Sequence, residues 1–177
     1  MTETIAIDQA SHEDISTLWG MSSTLRQGKL QGYFERCLER QDKGELSLYI
    51  MRYDAEAVGY CLLNWQPKYG MFRTLNIPEI QDLNVLPDYR KRGFATQMIT
   101  YCEKVAGEQD CREMGIGVGL NRSFGAAQRL YVQLGYIPDG QGINYDRKPM
   151  EESEFRPNDD QLCLMMTKLL NEKGIIE

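Results

Sequence analysis

The apolar positions of this chain change period as they run, and the changes divide it into elements. Residues 3–7 alternate as a short strand. Ser11 then reads as a helix N-cap with Asp14 three residues on, and Ile15, Leu18 and Trp19 form one apolar face. After a break at Gln27-Gly28, Leu30, Tyr33, Phe34, Cys37 and Leu38 recur at helical spacing, and this second helix stops before Gly44. Leu46–Arg52 and Val58–Trp65 read as strands joined by a turn at Asp54-Ala55-Glu56. A loop over Gln66–Thr74 and a strand over Pro78–Leu86, ended by Pro87-Asp88, follow.

Beyond that point helix and strand alternate. Gly93–Ala106 carries Phe94, Met98, Cys102 and Val105 on one helical face. Met114, Ile116, Val118 and Leu120 alternate with Gly115, Gly117 and Gly119, a strand with one bare face. Ser123–Leu134 is helical, with Gly135 at the position past its end that favours positive φ. Residues 139–160 are polar, and Leu162–Leu169 reads as a closing strand. This order predicts one α/β (α+β) domain over residues 1–177, with a mixed sheet and helices on both of its faces.

Composition narrows the function. At 177 residues the chain is long enough to bury about 70% of its unfolded surface, so neither metal nor disulfide is needed for a core. A net charge of −6, from 20 Lys+Arg against 26 Asp+Glu, argues against general binding to a nucleic-acid backbone. The five cysteines are odd in number and widely spaced, and His12 is the one histidine. A zinc set would need ligands this chain lacks, and a Ser-His or Cys-His relay would have to use His12, which reads as a surface residue in a polar, helix-opening context. The opening residues lack a basic, then apolar, leader, and no apolar run approaches ~20 residues. A soluble cytoplasmic protein, with no metal and no membrane partner, is the expectation.

The most informative stretch is Val85-Leu-Pro-Asp-Tyr-Arg90-Lys91-Arg92-Gly93-Phe94-Ala95-Thr96. A strand enters a basic turn and opens a helix, whose first amides are unsatisfied donors at a positive dipole end. Gly93 lets a ligand approach the backbone, and the neighbouring cations add charge. A phosphate or pyrophosphate site and a solvated basic turn are both open. No G-x-x-x-x-G-K-[ST] occurs, and Gly115-Ile-Gly117-Val-Gly119 lacks the third glycine of a dinucleotide fingerprint. The alternating glycines read either as a flat face under a helix or as a bed for a thin ligand.

Arg90-Lys91-Arg92-Gly93-Phe94-Ala95 resembles the [RQ]-x-x-G-x-[GA] motif of the GNAT superfamily of acetyl-CoA-dependent N-acetyltransferases. Downstream, Asn121, Ala126, Tyr131, Gly135 and Tyr136 resemble its second motif, N-x-x-A-x-x-x-Y-x-x-x-G-F, with one or two extra residues after Asn121. The match covers about residues 75–138. The resemblance implies a mostly antiparallel sheet splayed at the cofactor site, with the pyrophosphate of acetyl-CoA on the amides from Arg90 to Thr96. It implies a pantetheine arm along the central strand, using backbone groups at Leu83 and Val85, with the N–H near Val85 polarising the thioester carbonyl. A bulge between Ile80 and Leu83, where the period-2 order breaks, would free those groups.

The same resemblance implies direct transfer to an amine that first sheds a proton. Counting eleven residues back from Arg90 reaches Glu79, the position of the superfamily's base. Asp82 on the same strand is the substitute. Pro78-Glu79 also reads as a plain, solvent-exposed strand start. Tyr131 matches the tyrosine that protonates the leaving thiolate, and is equally in phase with core positions. Asn121 and Ala126 would contact the cofactor, or Asn121 would cap the following helix.

The implied acceptor segments are Leu25–Leu30, Trp65–Thr74 and residues 139–160, with Tyr33, Phe34, Trp65, Tyr69 and Phe72 as candidate pocket aromatics. The last segment holds Asp139, Asp146, Glu151, Glu152, Glu154, Asp159 and Asp160 against Arg147, Lys148 and Arg156. That excess suits either a cationic acceptor or a solvated loop. The expectation is a small-molecule primary amine as acceptor, with a homodimer through the C-terminal strands compatible with the resemblance. Acetylation of a protein lysine or N-terminus, and a non-catalytic acyl-CoA sensor, are the alternatives.

Overall fold

The computed structural model describes residues 4–170. Its strands are β1 (Ile5–Gln9), β2 (Leu46–Tyr53), β3 (Glu56–Asn64), β4 (Glu79–Val85), β5 (Glu113–Gly119), β6 (Ile137–Tyr145), β7 (Lys148–Pro149) and β8 (Leu162–Leu169). Its helices are α1 (Ile15–Leu25), α2 (Tyr33–Asp42), α3 (Gly70–Leu75), α4 (Phe94–Glu108) and α5 (Gly125–Gln133). The fold class is the expected one, α/β with an open, mostly antiparallel sheet flanked by helices. Residue 3 of the expected first strand lies outside the described residues.

Two compact units divide the chain, and each draws on two separate stretches of sequence. The first joins the residues up to Trp65 to Ile80–Cys102. Its strands run in the order β1-β2-β3-β4, with β1–β2 and β2–β3 antiparallel. Ser11 caps the turn before α1 by accepting from the Glu13 N–H, while Asp14 reaches back to the Ser11 N–H at 2.8 Å, the reciprocal box its sequence predicts. Asp54 and Ala55 both take positive φ in the β2–β3 hairpin, the primed-turn geometry that matches strand twist.

Strand β2 is buried on both faces along most of its length. Leu46, Leu48 and Ile50 pack with Tyr60 and Leu62 of β3 against Leu18, Met21, Phe34 and Leu38 of α1 and α2. Phe34 is the hub, edge-on to Trp19, Tyr33 and Tyr60 at 5.0–5.4 Å between centroids. On the opposite face Tyr49 meets Tyr101 of α4. Helix α4 buries Phe94, Met98 and Cys102 of the predicted face together with Ile99 and Ala106, while Val105 of that face is only half-buried.

The second unit joins Gln66–Glu79 to the residues from Glu103 onward. Its strand order is β5-β8-β6-β7, all antiparallel, so the closing strand inserts between two earlier ones. Part of the stretch read as loop, residues 66–74, is helical: α3 places Tyr69 and Phe72 with Ile77, Cys163 and Met165 in a small core. Those two aromatics, and Phe34 in the first unit, are core residues rather than pocket lining. Residues 139–160 likewise hold most of β6 and all of β7.

The bare face of β5 is filled by side chains. A Cβ on Gly115 would fall under 3.0 Å from the Phe72 ring, one on Gly119 under 3.0 Å from the Phe124 ring, and one on Gly117 at 3.1 Å from Arg147 Nη2. Of the two readings of the glycines, close packing is the one realised here, with α3 supplying one of the covering rings. Gly115→Ala must therefore displace a fully buried ring that also stacks edge-on against Tyr69. A loss of about 1–3 kcal/mol is expected. It would appear as a lower urea midpoint at unchanged slope.

Candidate active site

Strand β4 contains the irregularity that the sequence places between Ile80 and Leu83. Asp82 has φ of +49°, left-handed backbone inside a strand, which aspartate tolerates better than most residues. Asn84 holds this bulge: its Nδ2 donates to Asp82 O at 2.9 Å and to Asp82 Oδ1 at 2.8 Å. Gly59 of β3 lets the Asn84 carbonyl approach, since a Cβ there would lie 2.6 Å from that oxygen.

The bulge carries a polar network. Asp82 Oδ2 accepts from Tyr33 OH at 2.8 Å and pairs with Lys29 Nζ at 2.7 Å. Gln27 links Asn84 to Tyr60, accepting from Tyr60 OH at 2.6 Å. Burial first, then the Asp82 charge, push both phenols far above the usual tyrosine range, so they remain donors.

After the strand, Pro87–Tyr89 form a single 3-10 turn, and the chain reaches α4 through Lys91 at φ +61° and Gly93 at φ +82°. Left-handed residues at such spacing turn successive amides toward one side, and the helix behind adds its positive end. The three cations divide their work. Arg90 Nε donates back to the Val85 carbonyl at 3.0 Å, fixing the turn to the strand. The Arg92 guanidinium stacks over Tyr53, Phe94 and Tyr89 at 4.6–5.7 Å. Lys91 is exposed.

Phe94 turns its ring into the core, Ala95 is half-buried, and Thr96 lines a surface groove of about 420 Å³ with Ile5, Ile7 and Thr100. What these three offer an anion is chiefly their backbone N–H groups, which as first-turn amides have no partner four residues back. Val85 is buried and Leu83 half-buried on β4. The donor set suits a pyrophosphate.

The second unit holds the other candidates. Glu79 has no exposed side-chain surface. Arg147 grips its Oε1 with Nε at 2.9 Å and Nη2 at 2.8 Å, while Oε2 is buried without a hydrogen-bond partner among the described residues. Burial works against the guanidinium charge, and Glu79 and Cys163 more than offset it, so Arg147 is held protonated. Burial pushes the Cys163 thiol up. The reading of Glu79 as an exposed strand start is thus corrected: it is an interior ion pair.

Tyr131 is 7% exposed on α5, its ring 6.2 Å from that of Tyr136. Asn121 caps the turn before α5, its Oδ1 accepting from the Ser123 N–H at 2.9 Å and its Nδ2 donating to Asp160 at 3.3 Å. Ala126 is exposed on the first turn of α5.

Four carboxylates of the late acidic segment find partners within their own unit, two of them cations and two tyrosine hydroxyls. Asp139 accepts from Tyr69, Asp146 pairs with Lys68, Glu154 with Arg156, and Asp159 accepts from Tyr145. Two residues, one in each unit's cluster, escape the sequence. Arg147 lies 68 positions from Glu79, within a segment legible only as charged, and Lys29 lies within a segment named for its place rather than its chemistry.

Residues 13–136 match the acetyltransferase (GNAT) family, and the chain belongs to it. An uncharacterized N-acetyltransferase of Archaeoglobus fulgidus is 29% identical over 109 residues, which cover 60% of this chain and 69% of that one. Among solved structures, an acetyltransferase from Salmonella typhimurium, described as modifying the N-terminal serine of the ribosomal protein L7/L12, superposes with a TM-score of 0.71 at 11% identity. The match covers 95% of this chain and 96% of that one. An aminoglycoside 6'-N-acetyltransferase complexed with coenzyme A superposes at 0.68 and 16% identity, over 96% of this chain and 99% of that one. The protein is an acyltransferase of the N-acetyltransferase kind, with acetyl-CoA as its donor. Among the described residues no helix is long and apolar enough to cross a membrane, and no group of three His, Cys, Asp or Glu could hold a metal.

Proposed function

We propose that residues 1–177 form one cytoplasmic N-acetyltransferase domain that acetylates a primary amine of a small molecule by direct transfer. The observation that carries this is the run from a bulged strand through a left-handed basic turn into α4, with Asp82, Lys91 and Gly93 all at positive φ. It supplies backbone donors at two places along one short stretch, as a thioester and a pyrophosphate require.

The amides of residues 91–96 take the pyrophosphate, with Lys91 as the free cation. The N–H at Val85 stabilises negative charge on the thioester oxygen. Glu79 accepts the proton that the acceptor's ammonium must lose, through Oε2, since Arg147 occupies Oε1. The amine nitrogen then bonds to the acetyl carbon as the carbon–sulfur bond breaks, Tyr131 gives its proton to the departing thiolate, and the second proton shed by the amide nitrogen returns to the Tyr131 phenolate, directly or through water. Asp82, 17% exposed among phenols, binds the acceptor ammonium. Its enclosed setting favours a small amine over an extended peptide.

The test is thiol release from acetyl-CoA across alkylamines, polyamines, aminoglycosides and peptides. Turnover confined to small amines is expected, and Tyr131→Phe should lower kcat by roughly 10–100-fold while acetyl-CoA still binds. Turnover of peptides alone would move the acceptor to proteins. Binding of acetyl-CoA with no turnover on any amine would favour a sensor.

A further inference from the structure

We infer that the Asp82 cluster is a receptor for an alkylammonium group, and that the chain's own Lys29 fills it until the acceptor displaces it. The inference deepens the proposed amine-acetylating function and rests on it for the receptor's purpose, though not for its existence.

The first observation is what surrounds the Lys29 ammonium. Nζ lies 2.7 Å from Asp82 Oδ2, 4.3 Å from the centroid of the Tyr33 ring and 6.0 Å from that of Tyr60. An anion on one side and aromatic faces on others is the arrangement that recognises an organic cation. A primary ammonium on an alkyl stem is also the group that an amine acetyltransferase must hold before proton removal. Lys29 therefore presents the protein with an acceptor-like end.

The second observation is how Lys29 is delivered. Its side chain is 12% exposed, yet it sits in the irregular segment between α1 and α2, where Arg26, Gly28, Leu30 and Gln31 are exposed. Leu30 is 77% exposed, and a Cβ added to Gly28 would meet nothing within 4 Å. Arg26, Gly28 and Gly32 all stand at positive φ. A rigid structural pair is normally built on elements packed at both ends; here the carboxylate sits on a strand, and the cation sits on a stretch anchored at Gln27 but exposed at Gly28, Leu30 and Gln31. Asp82 keeps Tyr33 and Asn84 as donors whether or not Lys29 is present, and Gln27 holds the backbone nearby, so the site stays formed when the Lys29 side chain swings away. The acceptor's apparent affinity is then reduced by the fraction of molecules in which Lys29 has vacated Asp82.

Lys29→Ala removes the side chain beyond Cβ, a piece with the composition of propylammonium, and titration of that variant with propylammonium chloride at constant ionic strength is the test. The melting temperature should rise saturably, with no such rise for tetramethylammonium and none in the Lys29→Ala/Asp82→Asn double variant. Should the Ala variant fail to fold, Lys29→Gln replaces it in the same titration. KM for small amines should fall about tenfold relative to wild type, as expected if roughly one molecule in ten is open, with kcat little changed.

A rise that is equal in the double variant, or no rise at all, overturns the receptor. A specific rise with KM unchanged or increased makes Lys29–Asp82 a structural pair and overturns its displacement by acceptor. If wild type acetylates no amine, the acetyltransferase reading fails, and the titration still decides whether Asp82 takes an alkylammonium.

Discussion

Arg147→Met is expected to destabilise the protein by about 3–5 kcal/mol, because it leaves the Glu79 carboxylate fully buried without a counter-ion. At this chain length that corresponds to a drop of roughly 6–20 °C in melting temperature. Methionine keeps the stem as far as the level of Nε, and the space beside Gly117 that Cζ and Nη2 fill is emptied in the single and the double variant alike. The diagnostic variant is the double, Glu79→Gln/Arg147→Met, which removes both charges. It should be more stable than Arg147→Met alone, since the penalty belongs to the stranded charge rather than to a missing attraction. Additive losses in thermal and urea unfolding would show that each residue acts through its own packing.

Glu79→Gln is expected to lower kcat/KM for an alkylamine by about 10²–10⁴-fold, the usual range for removing a general base. The amide retains the shape and can still accept from Arg147, so acetyl-CoA binding should be unaffected. An acceptor whose nitrogen is already neutral at the assay pH, such as an aniline or a fluorinated alkylamine, has no proton to lose before attack. The penalty should shrink for that substrate. Equal losses with both kinds of acceptor would mean that Glu79 serves only as the anion that Arg147 needs, and that proton removal falls to Asp82 or to solvent. The comparison separates the two because a positioning defect is indifferent to the acceptor's proton, whereas a base is not.

Much of the framework could be read along the chain. Helix α4 was legible because Phe94, Met98 and Cys102 recur on one face, and β8 because an apolar run stands between polar stretches; both are local patterns. The Asp82 bulge was legible as a break in alternation. Helix α3 was not, because six residues are too few to display a period, and what makes it a helix is the burial of Phe72 over Gly115. Motif spacing pointed to Glu79, and their shared strand to Asp82, without showing that one is fully interior and the other 17% exposed.

The sequence by itself determined most of the elements, the basic turn that opens α4, and the family to which the chain belongs, since all of these are written in neighbouring residues. Only the tertiary structure decided who partners whom: Arg147 with Glu79, Lys29 with Asp82, Arg92 with a set of rings rather than with open solvent, and the late acidic residues with donors of their own unit. The physical reason is that charge is carried by single residues, with no period to betray its destination. A buried carboxylate requires a cation close by in space, and nothing in the chain's order says which one will arrive.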